Sequence, residues 1–167
     1  VPVVHVDLSA AEWFTGNVAS FGFDDDLRDH WLSRPHKQER LRLIHRLFSF
    51  SDNKDTRVTI LSGDIHVAAL GLLEKRLDED TNERGGSIYQ IISSPVVHPT
   101  PPAVMKWFYD RLANDTEEVD RGITSRFVEM PASHDYYIGK RNWVALEVDR
   151  ERRRLWSAWR VEGERTP

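Results

Sequence analysis

The chain has 167 residues, 40% apolar and 30% charged, which excludes a disordered tract and is long enough for one domain, 1–167, with its own core. No run approaches the ~18 apolar residues of a membrane-spanning helix, and no N-terminal segment has the basic-then-apolar pattern of a signal peptide. The absence of cysteine excludes disulfides and thiolate metal sites and is compatible with a cytoplasmic location, while a net charge of -4 argues against nucleic-acid binding through bulk charge.

In chain order, "VVHV" (3–6) reads as a short strand and "LSAAEWF" (8–14) as a turn of helix. "TGNVASFGFDDD" (15–26) is rich in turn formers and reads as loop, and "DDDLRDHW" (24–31) offers an Asp N-cap to a short helix. Residues 33–50 carry the clearest helical pattern. Pro35 stands at a first-turn position, Leu41, Ile44, Leu47 and Phe48 share one face, and Arg40, Arg42 and Arg46 are placed off it. "SDNKD" (51–55) ends that helix. "RVTILS" (57–62) is an unbroken β-prone run, the pattern of a central strand buried on both faces.

Periodicity leaves 65–77 open between strand and helix. Residues 78–86 read as an exposed loop, 87–94 as a buried strand, and "PVVHPTPP" (95–102) as a break. A helix is expected over 102–115, with Val104, Trp107, Phe108 and Leu112 on one face, and a strand over 123–130. The tail 141–163 reads as a hairpin: Val144, Leu146 and Val148 alternate on the first arm, and the turn falls near 149–153. Helix-strand units followed by a run of strands predict an α/β (mixed α+β) fold.

The chemistry concentrates in Gly63-Asp64-Ile65-His66. The preceding strand delivers its C-terminal end toward a crevice of the kind where open α/β sheets bind ligands, and Gly63 permits a sharp turn. A carboxylate and an imidazole two residues apart suit Mn, Fe or Zn, and the oxygen suits Ca or Mg. Such ligands let a metal acidify a water and neutralise charge on a phosphoryl oxygen. Set against this, Gly-Asp after a strand is often a simple turn, and two ligands do not make a centre.

"VTILSGDIHVAALG" resembles the last metal motif of PhoD-like metallophosphatases, the alkaline phosphatase D type of the calcineurin-like superfamily. "DDLRDHW" with "HKQERLRLIHRL" is similar to the segment before that motif, "IYQIISSPVVHPTPP" to the strand and Ser-Ser-Pro loop after it, and "RNWVALEV" to the closing hairpin. The resemblance spans roughly 24–160 in the right order. It implies part of a four-layer αββα metallophosphoesterase sandwich with mixed sheets, and a metal-dependent phosphoester hydrolase, phosphatase or phosphodiesterase. It also implies divalent or trivalent metal ions (Fe, Mn, Zn or Ca), with Asp64 and His66 as metal ligands and His66 also as the catalytic group at the phosphoryl oxygen.

The chain opens "VPVVHVDL" without an initiator Met, so the expectation is a C-terminal portion whose remaining ligands come from a missing N-terminal half. The expected partners are then a phosphoester substrate, that half, or a second copy in a homo-oligomer associating through "VVHV" and "IYQII". His30 and His98 are candidate substrate-binding residues. His36, like His30, could face the phosphate or a supporting carboxylate, but the favoured reading of the cluster is Asp25, Asp26 and Asp29 as helix caps and the histidines in ordinary polar contacts. His5 and His45 read as scaffold, and His134 lies beside Tyr136 and Tyr137 in a loop. "RERRRLWSAWR" (150–160) interleaves Arg with Trp, a pattern that binds single strands but more often marks a hairpin with Arg on its wet face. The competing function is a non-catalytic binding or structural module on the same scaffold.

Overall fold

The computed structural model describes residues 3–4, 36–63, 67–77, 84–94, 96, 116–130 and 134–163. Among them are one helix, α1 (Lys37–Lys54), and eight strands: β1 (Thr59–Gly63), β2 (Ala68–Arg76), β3 (Arg84–Ser93), β4 (Glu117–Asp120), β5 (Ile123–Val128), β6 (Tyr137–Ile138), β7 (Asn142–Asp149) and β8 (Arg154–Val161). Six strands form a mixed sheet in the order β1-β3-β2-β5-β4, with β6 also paired to β2, and β7-β8 form a separate hairpin. Only β1 and β3 run parallel; the other described pairs are antiparallel. This corrects the α/β, four-layer αββα expectation. The described architecture is mainly β, with one helix on one face of the sheet. The expected helices at 24–31 and 102–115 lie outside the described residues.

Register explains the core. Across the sheet, Ala69 faces Ile92, Gly71 faces Gln90, and Leu73 faces Ile88. On the other side of β2, Gly71 faces Phe127 and Leu73 faces Ser125. Because side chains alternate along each strand, these residues share one face. Ile44 and Phe48 of α1 pack onto it together with Val3, Val4, Ile88, Ile92, Ile123 and Phe127. Phe127 and Tyr137 stack at a tilt of 51° with ring centroids 5.0 Å apart, closing the β5–β6 side.

Gly71 has a steric role. A Cβ there would meet the Val4 side chain at 2.7 Å, so only glycine lets Val4 lie against the sheet. Val3 and Val4 are buried but sit in a bend, not in the expected strand over 3–6. Their backbone is held from both sides: Val4 N donates to Gln90 Oε1 at 2.6 Å, and Val3 O accepts from Arg40 Nε at 2.7 Å.

Helix α1 is displaced toward the C-terminus relative to the expected 33–50. It begins after His36 and ends at Asp55, whose left-handed φ of 45° turns its N–H back to Asp52 O and Ser51 O. Its buried stripe is Arg40, Ile44 and Phe48, spaced four apart. Arg40, expected off the apolar face, is therefore on it. Its guanidinium makes a bidentate pair with Glu117 of β4 at 3.0 and 2.9 Å.

The run over 57–62 was expected to be central and buried on both faces. Instead β1 is the outermost described strand on its side of the sheet, and Leu61 is 58% exposed. Ile60 and Ser62 share the core face with Gln90 and Ile92, while Leu61 lies on the opposite face with Ile91. Of "VVHV" and "IYQII", expected to be uncovered, the described residues Val3, Val4, Ile88, Gln90, Ile91 and Ile92 are buried while Tyr89 is exposed; other exposed apolar side chains include Leu61 and, on the hairpin, Trp143, Val148 and Trp156.

The segment 65–77, left open by its periodicity, is strand β2 from Ala68. Part of the expected loop at 78–86 is strand, since β3 starts at Arg84. The strand over 123–130 is present as β5, with burial alternating residue by residue. The hairpin has the expected turn and pairs Val144 with Trp159, Leu146 with Ser157 and Val148 with Leu155 on one face.

Candidate functional site

The parallel pair β1 and β3 ends together, with Gly63 in register with Ser93. Strand β2 enters on the other side of β3, where Ala69 is in register with Ile92. Gly63, Val67 and Ser93 therefore bracket one end of the sheet, which is where the sequence placed its chemistry. The candidates themselves, Asp64, His66, His30 and His98, lie outside the described residues, as do Asp25, Asp26, Asp29 and His5.

The described residues at this end form a hydrogen-bonded frame of amides and hydroxyls. Gln90, fully buried on β3, donates from Nε2 to Ser62 Oγ at 2.7 Å while its Oε1 accepts from Val4 N. It thus ties the penultimate residue of β1 to the middle of β3. Asn142, the first residue of β7, is 2% exposed. Its Oδ1 accepts from Ser93 Oγ and Ser94 N, each at 3.2 Å. Its Nδ2 donates to Ser94 Oγ at 2.6 Å and to Lys140 O at 2.8 Å. All four hydrogen-bonding positions of the side-chain amide are used. Trp159 Nε1 adds a bond to Ile92 O at 3.1 Å, so the hairpin is pinned to the end of β3 from both of its strands. At its far end the turn meets the connection leading into β1, where Arg57 Nη2 donates to Arg153 O.

Sequence reasoning singled out neither Gln90 nor Asn142. A signal was available for Asn142: an asparagine opening a strand-forming run is disfavoured there unless its side chain is bonded. "RNWV" has that form.

Among the described residues no group of three or more His, Asp or Glu side chains is placed to hold a metal. The frame at the strand ends supplies no carboxylate or imidazole of its own. Asp64 and His66, the oxygen and nitrogen donors expected from the sequence, follow Gly63 in the chain and lie outside the described residues.

The described histidines lie elsewhere. His36 is the N-cap of α1 with no side-chain cap bond. His134 has a left-handed φ of 58° and its Nδ1 is 3.6 Å from Glu129 Oε2. His45 Nε2 lies 2.7 Å from Asp120 Oδ2, joining α1 to the end of β4 in keeping with a scaffold role. The Arg121 backbone N–H and the His45 side chain hold the Asp120 carboxyl below its usual range.

A cleft of about 450 Å³ opens between α1 and the sheet, lined by His45, Asp52, Lys75, Arg76 and Arg121 among others. It lies at the opposite end of the sheet from Gly63 and Ser93, beside the Lys75–Ile123 pairing. Lys75 is already bonded to Asp52 at 2.9 Å there. This cleft is separate from the strand ends.

A family model described as PhoD related phosphatase matches residues 12–116, which include the whole of β1, the segment 64–66, β2 and β3. The uncharacterized protein YGR266W of Saccharomyces cerevisiae (strain ATCC 204508 / S288c) is 32% identical over 145 residues, covering 71% of this chain. The chain spans about a fifth of the length of that relative, 21%. No solved structure matches the chain.

Proposed function

The chain belongs to the PhoD-related phosphatase family, and from that premise we propose that it carries part of the catalytic site of a metal-dependent phosphoester hydrolase. The observation that supports this reading most directly is the span of the family match. It takes in Gly63-Asp64-Ile65-His66 together with β1, the strand that ends at Gly63, and its parallel partner β3.

In this reading Asp64 and His66 are metal ligands, and His66 also faces the phosphoryl oxygen. A bound divalent metal would supply Lewis acidity, lowering the pKa of a water and offsetting charge on the phosphoryl group. The protein's own part in this reading is to fix the strand end from which this segment leaves. The Gln90–Ser62 bond fixes the residue just before Gly63 against β3. Asn142 fixes the end of β3 against the hairpin. Preorganisation of this kind gives ligands a defined geometry before substrate arrives. Further ligands are required to complete a hydrolytic centre, and we place these outside the described residues.

The test is phosphatase and phosphodiesterase activity of the full-length protein on p-nitrophenyl phosphate and bis-p-nitrophenyl phosphate, with Mn²⁺ present and after chelation. The expected result is turnover that chelation abolishes and that Asp64→Ala or His66→Ala lowers at least about a hundredfold, as for loss of a group acting in the transition state. Full activity in both variants would sink the assignment. A folded protein with no turnover under any metal would favour a binding module on the same scaffold.

A further inference from the structure

Asn142 joins two segments of sequence that are 48 residues apart in its bond to Ser94. It is buried, it opens strand β7, and it uses both amide atoms twice over. Three of those four bonds go to Ser93 and Ser94, the residues at and just beyond the end of β3. Ser93 is the register partner of Gly63, the residue immediately before Asp64. The amide therefore governs where the end of β3 sits relative to β7, and through the strand register it governs the end of β1.

We infer that Asn142 is a positioning residue for the phosphoester chemistry at the β1 and β3 strand ends, an inference that rests on the functional reading above. The side chain acts through Ser93 and Ser94 and takes no part in bond making. Its contacts demand an acceptor and a donor in one side chain, as an amide supplies. A carboxylate would keep the acceptor for Ser94 N but lose the donor toward Lys140 O. An alanine would leave Ser94 N and Lys140 O with no side-chain partner in a buried place. Partners that orient a metal site from outside it typically alter activity by about ten- to a hundredfold when removed. A shift of about 1 Å at a reacting centre has a similar effect. A purely architectural bond would lower thermal stability and leave the turnover of the folded molecules unchanged.

The experiment compares full-length wild type, Asn142→Ala, Asn142→Asp and Phe48→Leu on p-nitrophenyl phosphate and bis-p-nitrophenyl phosphate with Mn²⁺. Assays are run at a temperature where circular dichroism shows all four folded. Phe48 is a core residue beside Gly86, toward the far end of the sheet, and controls for destabilisation alone. The expected result is a kcat about ten- to a hundredfold lower in Asn142→Ala, with KM within about twofold and Phe48→Leu unchanged. Asn142→Asp is expected between wild type and Asn142→Ala, since it retains one of the two bonding atoms. A kcat in Asn142→Ala equal to that of Phe48→Leu overturns the positioning role while leaving the phosphatase reading intact. Absence of turnover in wild type overturns both.

Discussion

Arg40→Ala removes the one charged side chain that is buried among the described residues. Arg40 is 3% exposed, and its guanidinium makes three bonds: Nε to Val3 O, and Nη1 and Nη2 to the two oxygens of Glu117. Truncation leaves the Glu117 carboxylate, 25% exposed, without its counter-charge. Val3 O is left without its side-chain donor. Breaking a buried pair from one side costs about 3–5 kcal/mol, because the surviving charge stays desolvated. Glu117 retains some water, which brings the ionic share to about 2–3 kcal/mol. An unsatisfied carbonyl adds about 1 kcal/mol. The expected loss is about 3–4 kcal/mol, a large part of the stability of a domain this size.

Urea denaturation followed by tryptophan fluorescence measures the effect, with the variant compared at equal m-value. The pair Arg40→Met with Glu117→Leu provides the internal check. Replacing both partners by apolar groups removes the stranded charge, so the double variant is expected within about 1 kcal/mol of wild type despite two substitutions. Added salt is expected to change the Arg40→Ala difference little, since a bidentate pair at this depth is poorly screened. A loss below about 1 kcal/mol in Arg40→Ala, or a double variant as unstable as the single one, would refute the claim that this pair ties α1 to β4.

Two further substitutions test the packed face of the sheet. Ser125 is 2% exposed and its hydroxyl has no hydrogen-bond partner among the described residues, so Ser125→Ala is expected to raise stability by about 1 kcal/mol, read as a higher urea midpoint; a fall would reveal a bond the geometry does not show. Gly71→Ala sets a methyl group 2.7 Å from Val4 Cβ and is expected to lose about 1–3 kcal/mol, with a smaller loss when Val4→Ala is made alongside it; equal losses in both backgrounds would mean that Val4 does not press on β2.

Much of this fold is legible in the sequence where local pattern and burial agree. Strand β5 alternates in burial as its residues alternate in polarity, from Ile123 through Ser125 to Phe127. The hairpin follows from the alternation of Val144, Leu146 and Val148 and from the polar turn that follows. Helix α1 shows its stripe through Ile44 and Phe48. The failures come where tertiary neighbours decide. "TILSG" has the composition of a buried strand, yet β1 has a described partner on one side only, and Leu61 faces away from the packed layer. "EEVD" has weak strand propensity, but β5 pairs with it and Arg40 neutralises its Glu117. Arg40 reads as a surface charge because helical periodicity records polarity; its partner is 77 residues away.

The same distinction separates the two parts of the candidate site. Asp64 and His66 are visible in the sequence because their chemistry and spacing are local: a strand, a glycine, then a carboxylate and an imidazole within four residues. The frame at the strand ends is invisible by the same logic. Gln90 lies in the middle of a strand and reads as one polar residue between isoleucines and tyrosine; its meaning depends on Ser62 and Val4, which lie 28 and 86 residues away. Asn142 depends on Ser93 and Ser94 in the same way. A reactive group announces itself by type, whereas a supporting amide is defined by what surrounds it. An amide is also suited to such a place. It donates and accepts at once without carrying charge, so it can be buried at a strand end without a counter-charge. Burial with all its bonds made is what lets Asn142 hold two hydroxyls and two backbone groups in one fixed arrangement. The family resemblance marked "IYQIISSP" and "RNWVALEV" as separate segments; the Asn142 amide is the physical link that makes them one structure.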